Sequence, residues 1–187
     1  MNLTNNGRLF AFAAFLALSA GALQLHAQAA PMQSTLAQPE AVLHAADSAK
    51  LLPGSVFFRG QSATTQLRNS GGVRFADGYY ALATLVDNSG YATGVQEKYQ
   101  AYLINEVPLE IDGHRLEPGA YGVGIVKSED APRFVVMDIG AHDLFQAHSA
   151  SDGKLHRPTP LQVVAAASPG VYRLYFGRYY VEFSRAK

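Results

Sequence analysis

The side chains of this 187-residue chain with the means to do chemistry gather in one stretch: Asp138, His142, Asp143, His148 and His156 fall within nineteen positions. Imidazole nitrogens and carboxylate oxygens are a donor set for divalent transition metals, which makes Asp138, His142 and His148 the metal candidates. Yet none of these spacings is one that a strand or a helix turns onto a single face. The expectation is therefore ordinary loop histidines, with no metal and no other cofactor. Glu106 and Glu110 are the next pair. Four residues apart on one strand, they would share a face at ~13 Å, given a rise of ~3.3 Å per residue. That exceeds the ~5–9.5 Å between glycosidase carboxyls, so acid–base chemistry would need a carboxylate pair formed across strands.

No stronger catalytic signature is present. Ser89 lies in Asp87-Asn88-Ser89-Gly90, without the leading glycine of a nucleophile elbow. Gly119 to Gly124 alternates glycine as a strand would, and no helix follows to offer its N-terminus to a phosphate. The cysteine count is zero, which excludes disulfides, thiolate metal sites, a cysteine nucleophile and a lipoprotein anchor.

Binding is the chemistry that remains. Arg59, Gln61, Gln66, Arg68, Asn69 and Arg74 alternate with small residues, and Asp87 to Tyr91 follows the apolar run Ala81–Val86. A pocket mouth combines a few fixed polar groups with aromatic walls. Arg68, Asn69, Asp87, Tyr91 and Arg157 are accordingly the candidate contact residues. The competing structural roles are plain. An aspartate just after a strand bonds its own loop as an Asx turn, and His156 to Pro160 reads equally as a prolyl surface strap carrying Arg157.

These residues need a scaffold, and the sequence describes one. Arg8 precedes an apolar run from Leu9 to Leu23, and Ala27-Gln28-Ala29 fits a small-x-small cleavage site. Residues 1–29 thus read as a cleaved secretory signal, since the run is shorter than the ~20 residues of a membrane-spanning helix. The expected location is the periplasm or the cell exterior, with no transmembrane segment after cleavage. With 15 basic and 15 acidic residues the charge is balanced, which argues against nucleic acid as a partner. Residues 30–54 read as a leader with a short helix from Pro39 to Lys50, because proline and an early acid suit a first helical turn.

Residues 55–187 read as a single all-β domain, because short apolar or alternating runs recur between turn signals every 8–12 residues. The expected strands are Val56–Arg59, Thr64–Arg68, Val73–Phe75, Tyr79–Val86, Tyr99–Asn105, Val107–Ile111, Tyr121–Val126, Arg133–Ile139, Leu161–Ala166, Val171–Phe176 and Tyr179–Ser184. The fold class is an antiparallel β-sandwich of roughly 8–11 short strands, with a small closed barrel as the alternative. Four details sharpen it. A Gly177-Arg178 loop with glycine first suits a type II′ turn. It would put Phe176, Leu174 and Tyr172 opposite Tyr179, Val181 and Phe183 on the core face, and Arg173 opposite Glu182 outside. Gly122 and Gly124 on one strand face call for an aromatic or a ligand lying over them. Phe134 to Ile139, apolar on both faces but for Asp138, predicts a strand covered from two sides. Glu117 to Ala120 fits a type II turn.

The function expected on these grounds is an exported, non-enzymatic β-domain that binds a small molecule, a glycan or an envelope protein. The alternatives are a hydrolase in a β-scaffold and a structural subunit of an envelope assembly.

Overall fold

The computed structural model describes residues 39–187, residue 129 excepted; the expected signal segment lies outside the described residues. In chain order the elements are β1 (Ala41–Leu43), α1 (Ala45–Ser48), β2 (Ser55–Phe58), β3 (Gln61–Arg74), β4 (Tyr80–Val86), α2 (Thr93–Gln96) and β5 (Ala101–Asn105). They continue with β6 (Leu109–Ile111), β7 (His114–Leu116), β8 (Gly119–Val126), β9 (Arg133–Met137), β10 (Asp143–His148) and β11 (Ala150–Ser151). Last come β12 (Leu161–Ala165), β13 (Val171–Phe176) and β14 (Tyr179–Arg185). The strands form two antiparallel sheets that do not close into a barrel, so the chain is an all-β sandwich. The large sheet runs β1-β3-β4-β5-β8-β9-β10, with β2 on β3; the small sheet runs β12-β13-β14-β6-β7, with β11 on β14.

The last hairpin has the register that its alternation demands: Phe176, Leu174 and Tyr172 face Tyr179, Val181 and Phe183. Gly177 takes φ 61° at the first loop position, as a type II′ turn requires. Leu174 and Val181 are both 2% exposed, and burial of each such side chain stabilises by roughly 1.5–3 kcal/mol. They meet Val73, Leu103, Val123, Phe134 and Val136 of the large sheet in the main core.

The large sheet is also covered on its other face. Phe134 and Val136 belong to the main core, whereas Val135 and Met137 join a second cluster with Phe58, Tyr91, Tyr99 and Tyr102. The cover is the β2–β3 hairpin together with the segment around α2. An aromatic does lie over Gly122: a Cβ there would stand 2.4 Å from Phe58, whose ring stacks on Tyr99 at 3.8 Å. Gly124 answers a backbone instead, since its Cβ would stand 2.2 Å from the Lys98 carbonyl.

Several expectations need correction. The leader helix is a short strand followed by one helical turn, because Ala41–Leu43 extends to pair with Gly72–Arg74; an available sheet edge outweighs alanine's helix propensity. Thr64–Arg68 and Val73–Phe75 are parts of one strand, β3. Leu67, Arg68 and Asn69 bulge out of its ladder with β4 between Gln66 and Ser70, and that bulge interrupts the alternation. Gly119 does not take a positive φ and enters β8 directly opposite Asn105, so no type II turn forms. β7, β10 and β11 were not foreseen, being short or polar edge strands.

Gly122→Ala should destabilise the fold by about 1–3 kcal/mol, the usual cost of overpacking, because Phe58 has nowhere to go. Gly90→Ala, with nothing within 4 Å, should shift the midpoint of chemical denaturation hardly at all. Equal midpoints for the two variants would contradict the close packing of Phe58 on β8.

Candidate functional site

A cleft of about 450 Å³ runs along the free edge of β14, lined by Glu110, Asp112, His148, Tyr180, Glu182 and Ser184. Its origin is a conflict of registers. β14 has β13 on one side. On the other, β11 pairs at Tyr179 and Tyr180, and β6 pairs at Ser184 and Arg185. Extending either register by alternation brings His148 from one strand and Asp112 from the other to the same position, opposite Glu182. Neither takes it. Val181, Glu182 and Phe183 find no strand partner on this edge. Arg178 accepts here from the Asp152 N–H, and the Ala186 N–H donates here to Pro108. By the two-residue alternation of a ladder, the Glu182 N–H and carbonyl point into the cleft.

Both flanking chains have reasons to turn away. Asp112 and Gly113, with φ 49° and 80°, form the tight turn between β6 and β7, the type I′ geometry that Asp-Gly favours. Ala147, fully buried, keeps β10 in the large sheet, so the chain crosses to the small sheet only at Ser149. The two diverging chains are tied to each other instead. Asp112 Oδ2 accepts from the His148 N–H at 2.8 Å and lies 2.7 Å from its Nδ1. These hydrogen bonds, that from the backbone N–H foremost, hold the Asp112 carboxyl below its ordinary range. On the cleft floor one Glu182 carboxylate oxygen takes both Arg173 Nε and Nη2 at 2.9 Å. The Arg173 guanidinium also lies 4.5 Å over the Tyr180 ring.

Glu110 pairs with Ser184, so Glu182 is its diagonal neighbour on the same sheet face. Diagonal neighbours stand ~7–8 Å apart at the backbone, within reach of long side chains. Glu106, by contrast, is in the turn before β6 and accepts from the Tyr80 N–H at 2.9 Å. It shares no strand with Glu110.

The residues expected to form a site scatter. Arg68 and Asn69 do come together, on the β3 bulge, at the rim of a smaller groove of about 180 Å³ shared with His44 and Gln162. Arg68 is exposed and makes no side-chain hydrogen bond among the described residues, whereas the Asn69 amide donates to Gln66 at 3.1 Å. Arg157 is exposed in the strap before β12 and does not line that groove. Asp87 lies elsewhere and accepts from the Ser89 N–H at 3.1 Å, the Asx turn that competes with a contact role. Tyr91 is 7% exposed, and its hydroxyl donates to the Phe58 and Gln61 carbonyls. It is a wall of the second core. The metal candidates separate likewise: His142 pairs with Asp138 at 2.9 Å, and His148 pairs with Asp112. Among the described residues no three metal-ligating side chains converge.

Of the cleft residues, Glu182 was legible as outward-facing, and Glu110 as one of a carboxylate pair. What brings them together is the β6–β14 pairing, between segments some seventy residues apart. Scans against protein-family models, curated proteins and solved structures found no match to this chain.

Tyr91→Ala should therefore cost roughly 3–5 kcal/mol, like other aromatic truncations in a core, and Arg68→Ala less than about 0.5 kcal/mol. Urea unfolding of both variants checks this. A stable Tyr91→Ala protein would return Tyr91 to the list of surface contacts.

Proposed function

We propose that this chain is an exported, non-enzymatic binding domain that takes a small ligand, a glycan or a protein partner in the cleft along β14. The observation that carries the reading is the open ladder position at Glu182. It presents a backbone donor and acceptor on the floor of a concavity whose size suits a small-molecule site. Around it stand acceptors at Glu110 and Asp112, a hydroxyl at Ser184, and the Tyr180 ring as a wall. Polyhydroxylated ligands use that mixture of carboxylates, amides and an aromatic surface. The groove of Arg68 and Asn69 is a second candidate surface, suited by the exposed Arg68 guanidinium to an anionic group. Export rests on the N-terminal run and small-x-small pattern; among the described residues no helix is long and apolar enough to cross a membrane.

One observation favours a hydrolytic alternative: the diagonal Glu110 and Glu182, with the Asp112–His148 pair beside them. Arg173 weighs against it, since its guanidinium already occupies a Glu182 carboxylate oxygen.

Screening the protein by ligand-detected NMR against oligosaccharides and polar metabolites, in parallel with a glycoside and ester turnover panel, separates the readings. Binding without turnover, weakened at least tenfold by Glu110→Ala and Tyr180→Ala at unchanged thermal midpoint, is the expected result. Loss on Arg68→Ala alone would move the site to the smaller groove. Turnover that falls a hundredfold or more in Glu110→Gln would replace binding with hydrolysis. Hits that survive all these variants would overturn both assignments.

A further inference from the structure

The two concavities of this protein differ in charge. Three carboxylates, Glu110, Asp112 and Glu182, line the cleft along β14. The groove of about 180 Å³ at the start of β12 gathers His44, Arg68, Asn69, Thr159 and Gln162, and among the described residues that line it there is no carboxylate. Asp47, on the adjoining helical turn, is taken by Lys50 at 3.0 Å.

The rim of this groove is fixed by buried hydrogen bonds. Gln66 and Ser70 face the consecutive residues Leu85 and Thr84, so β3 extrudes three residues, Leu67 to Asn69. A bulge more often adds one residue, and beside functional sites it serves to re-aim a side chain. Here the middle and most exposed of the three is Arg68. Two buried serines hold the extrusion. The Ser48 hydroxyl stands 2.8 Å from that of Ser70 and 3.0 Å from the His44 carbonyl, and the Ser70 hydroxyl stands 2.6 Å from the Leu67 carbonyl. Two protons shared over these contacts tie the backbone at His44 to the backbone at Leu67. Asn69 gives one amide proton to Gln66 and keeps its second. Gly71 admits the other wall: a Cβ there would stand 2.9 Å from the Val163 backbone nitrogen, so its absence lets β12 lie against β3 and carry Gln162 to the groove.

The side chains so assembled can all donate: a guanidinium fork, an imidazole N–H, two amides and a hydroxyl. A cation would find no counter-charge among them, and a neutral polyol would leave the guanidinium charge unanswered. An oxyanion answers it with charge-assisted hydrogen bonds. We propose that this groove is a second binding site, separate from the β14 cleft, which takes a small molecule by its carboxylate or phosphate group on Arg68 and His44. Leu43 and Pro160 supply an apolar wall for the remainder of the ligand.

The test is an NMR titration of the isotope-labelled protein with sodium acetate, sodium butyrate and inorganic phosphate, each against sodium chloride at matched ionic strength. Saturable shifts should centre on the amides of His44, Arg68, Asn69 and Gln162 and leave Tyr180 to Ser184 unmoved. Arg68→Ala should weaken binding at least tenfold, as loss of a hydrogen-bonded charge does, at an unchanged thermal midpoint, and Arg68→Lys should recover part of it. Tighter binding of butyrate than of phosphate would assign the site to organic acids, and the reverse order to phosphorylated molecules. Glu110→Ala and Tyr180→Ala, which report on the β14 cleft, should leave anion binding intact, so either site can fail without the other. Shifts no different from those with chloride, binding that survives Arg68→Ala, or shifts centred on β14 would each overturn the proposal.

Discussion

The organisation of this protein turns on one edge that two strands compete to complete. β14 is fixed on its inner side by the hairpin with β13, whose two-residue turn leaves no freedom of register. Its outer edge is completed from far away in sequence, by β6 at one end and β11 at the other. Each of those segments answers first to the core. Ile111 and Ala147 are buried, and burying them dictates where the two chains must turn. The position opposite Glu182 is what remains after both demands are met. The Asp112–His148 pair then ties the diverging chains together, so the gap is held open by hydrogen bonds at both rims. A loose edge would close over such a gap or fray.

The same economy of surfaces explains why the cleft is on the small sheet. The large sheet has no free face: one side packs on the small sheet, and the β2–β3 hairpin with the α2 segment covers the other. That second cover is costly to build. It needs a bulge in β3 to redirect the strand, glycine at position 122 to admit Phe58, and a set of tyrosines whose hydroxyls must find partners under the hairpin. With that face closed, the outer face and edges of the small sheet are what stay open. There Tyr175 is already covered, and Tyr180 and Glu182 line the cleft.

The parts of this structure that could be read in the sequence are those set by local chemistry. The β13–β14 hairpin, with its arginine–glutamate pair, follows from one turn and strict alternation. The double cover of β9 follows from Phe134 to Met137, a run that is apolar at every position. The sandwich itself follows from the spacing of turns. What escaped reading is set by pairing between distant segments. Ala41–Leu43 is helical in composition and becomes a strand only because β3 offers an edge. The run Asp143–His148 has no strand signature, and it is a strand because β9 needs an outer neighbour. The candidate site divides along the same line. Arg68 and Asn69 share a bulge because they are adjacent, but Asp87, Tyr91 and Arg157 had no local reason to join them. Glu110, Asp112, His148 and Glu182 meet only through a register that no local pattern encodes.

Amide hydrogen exchange along β14 tests the open ladder position most directly. Val181 and Phe183 direct their N–H groups at β13, and their exchange should be slow. Glu182, between them, should exchange orders of magnitude faster in the free protein. Protection of Glu182 equal to that of its two neighbours would mean that the edge is closed and that the cleft has no such floor.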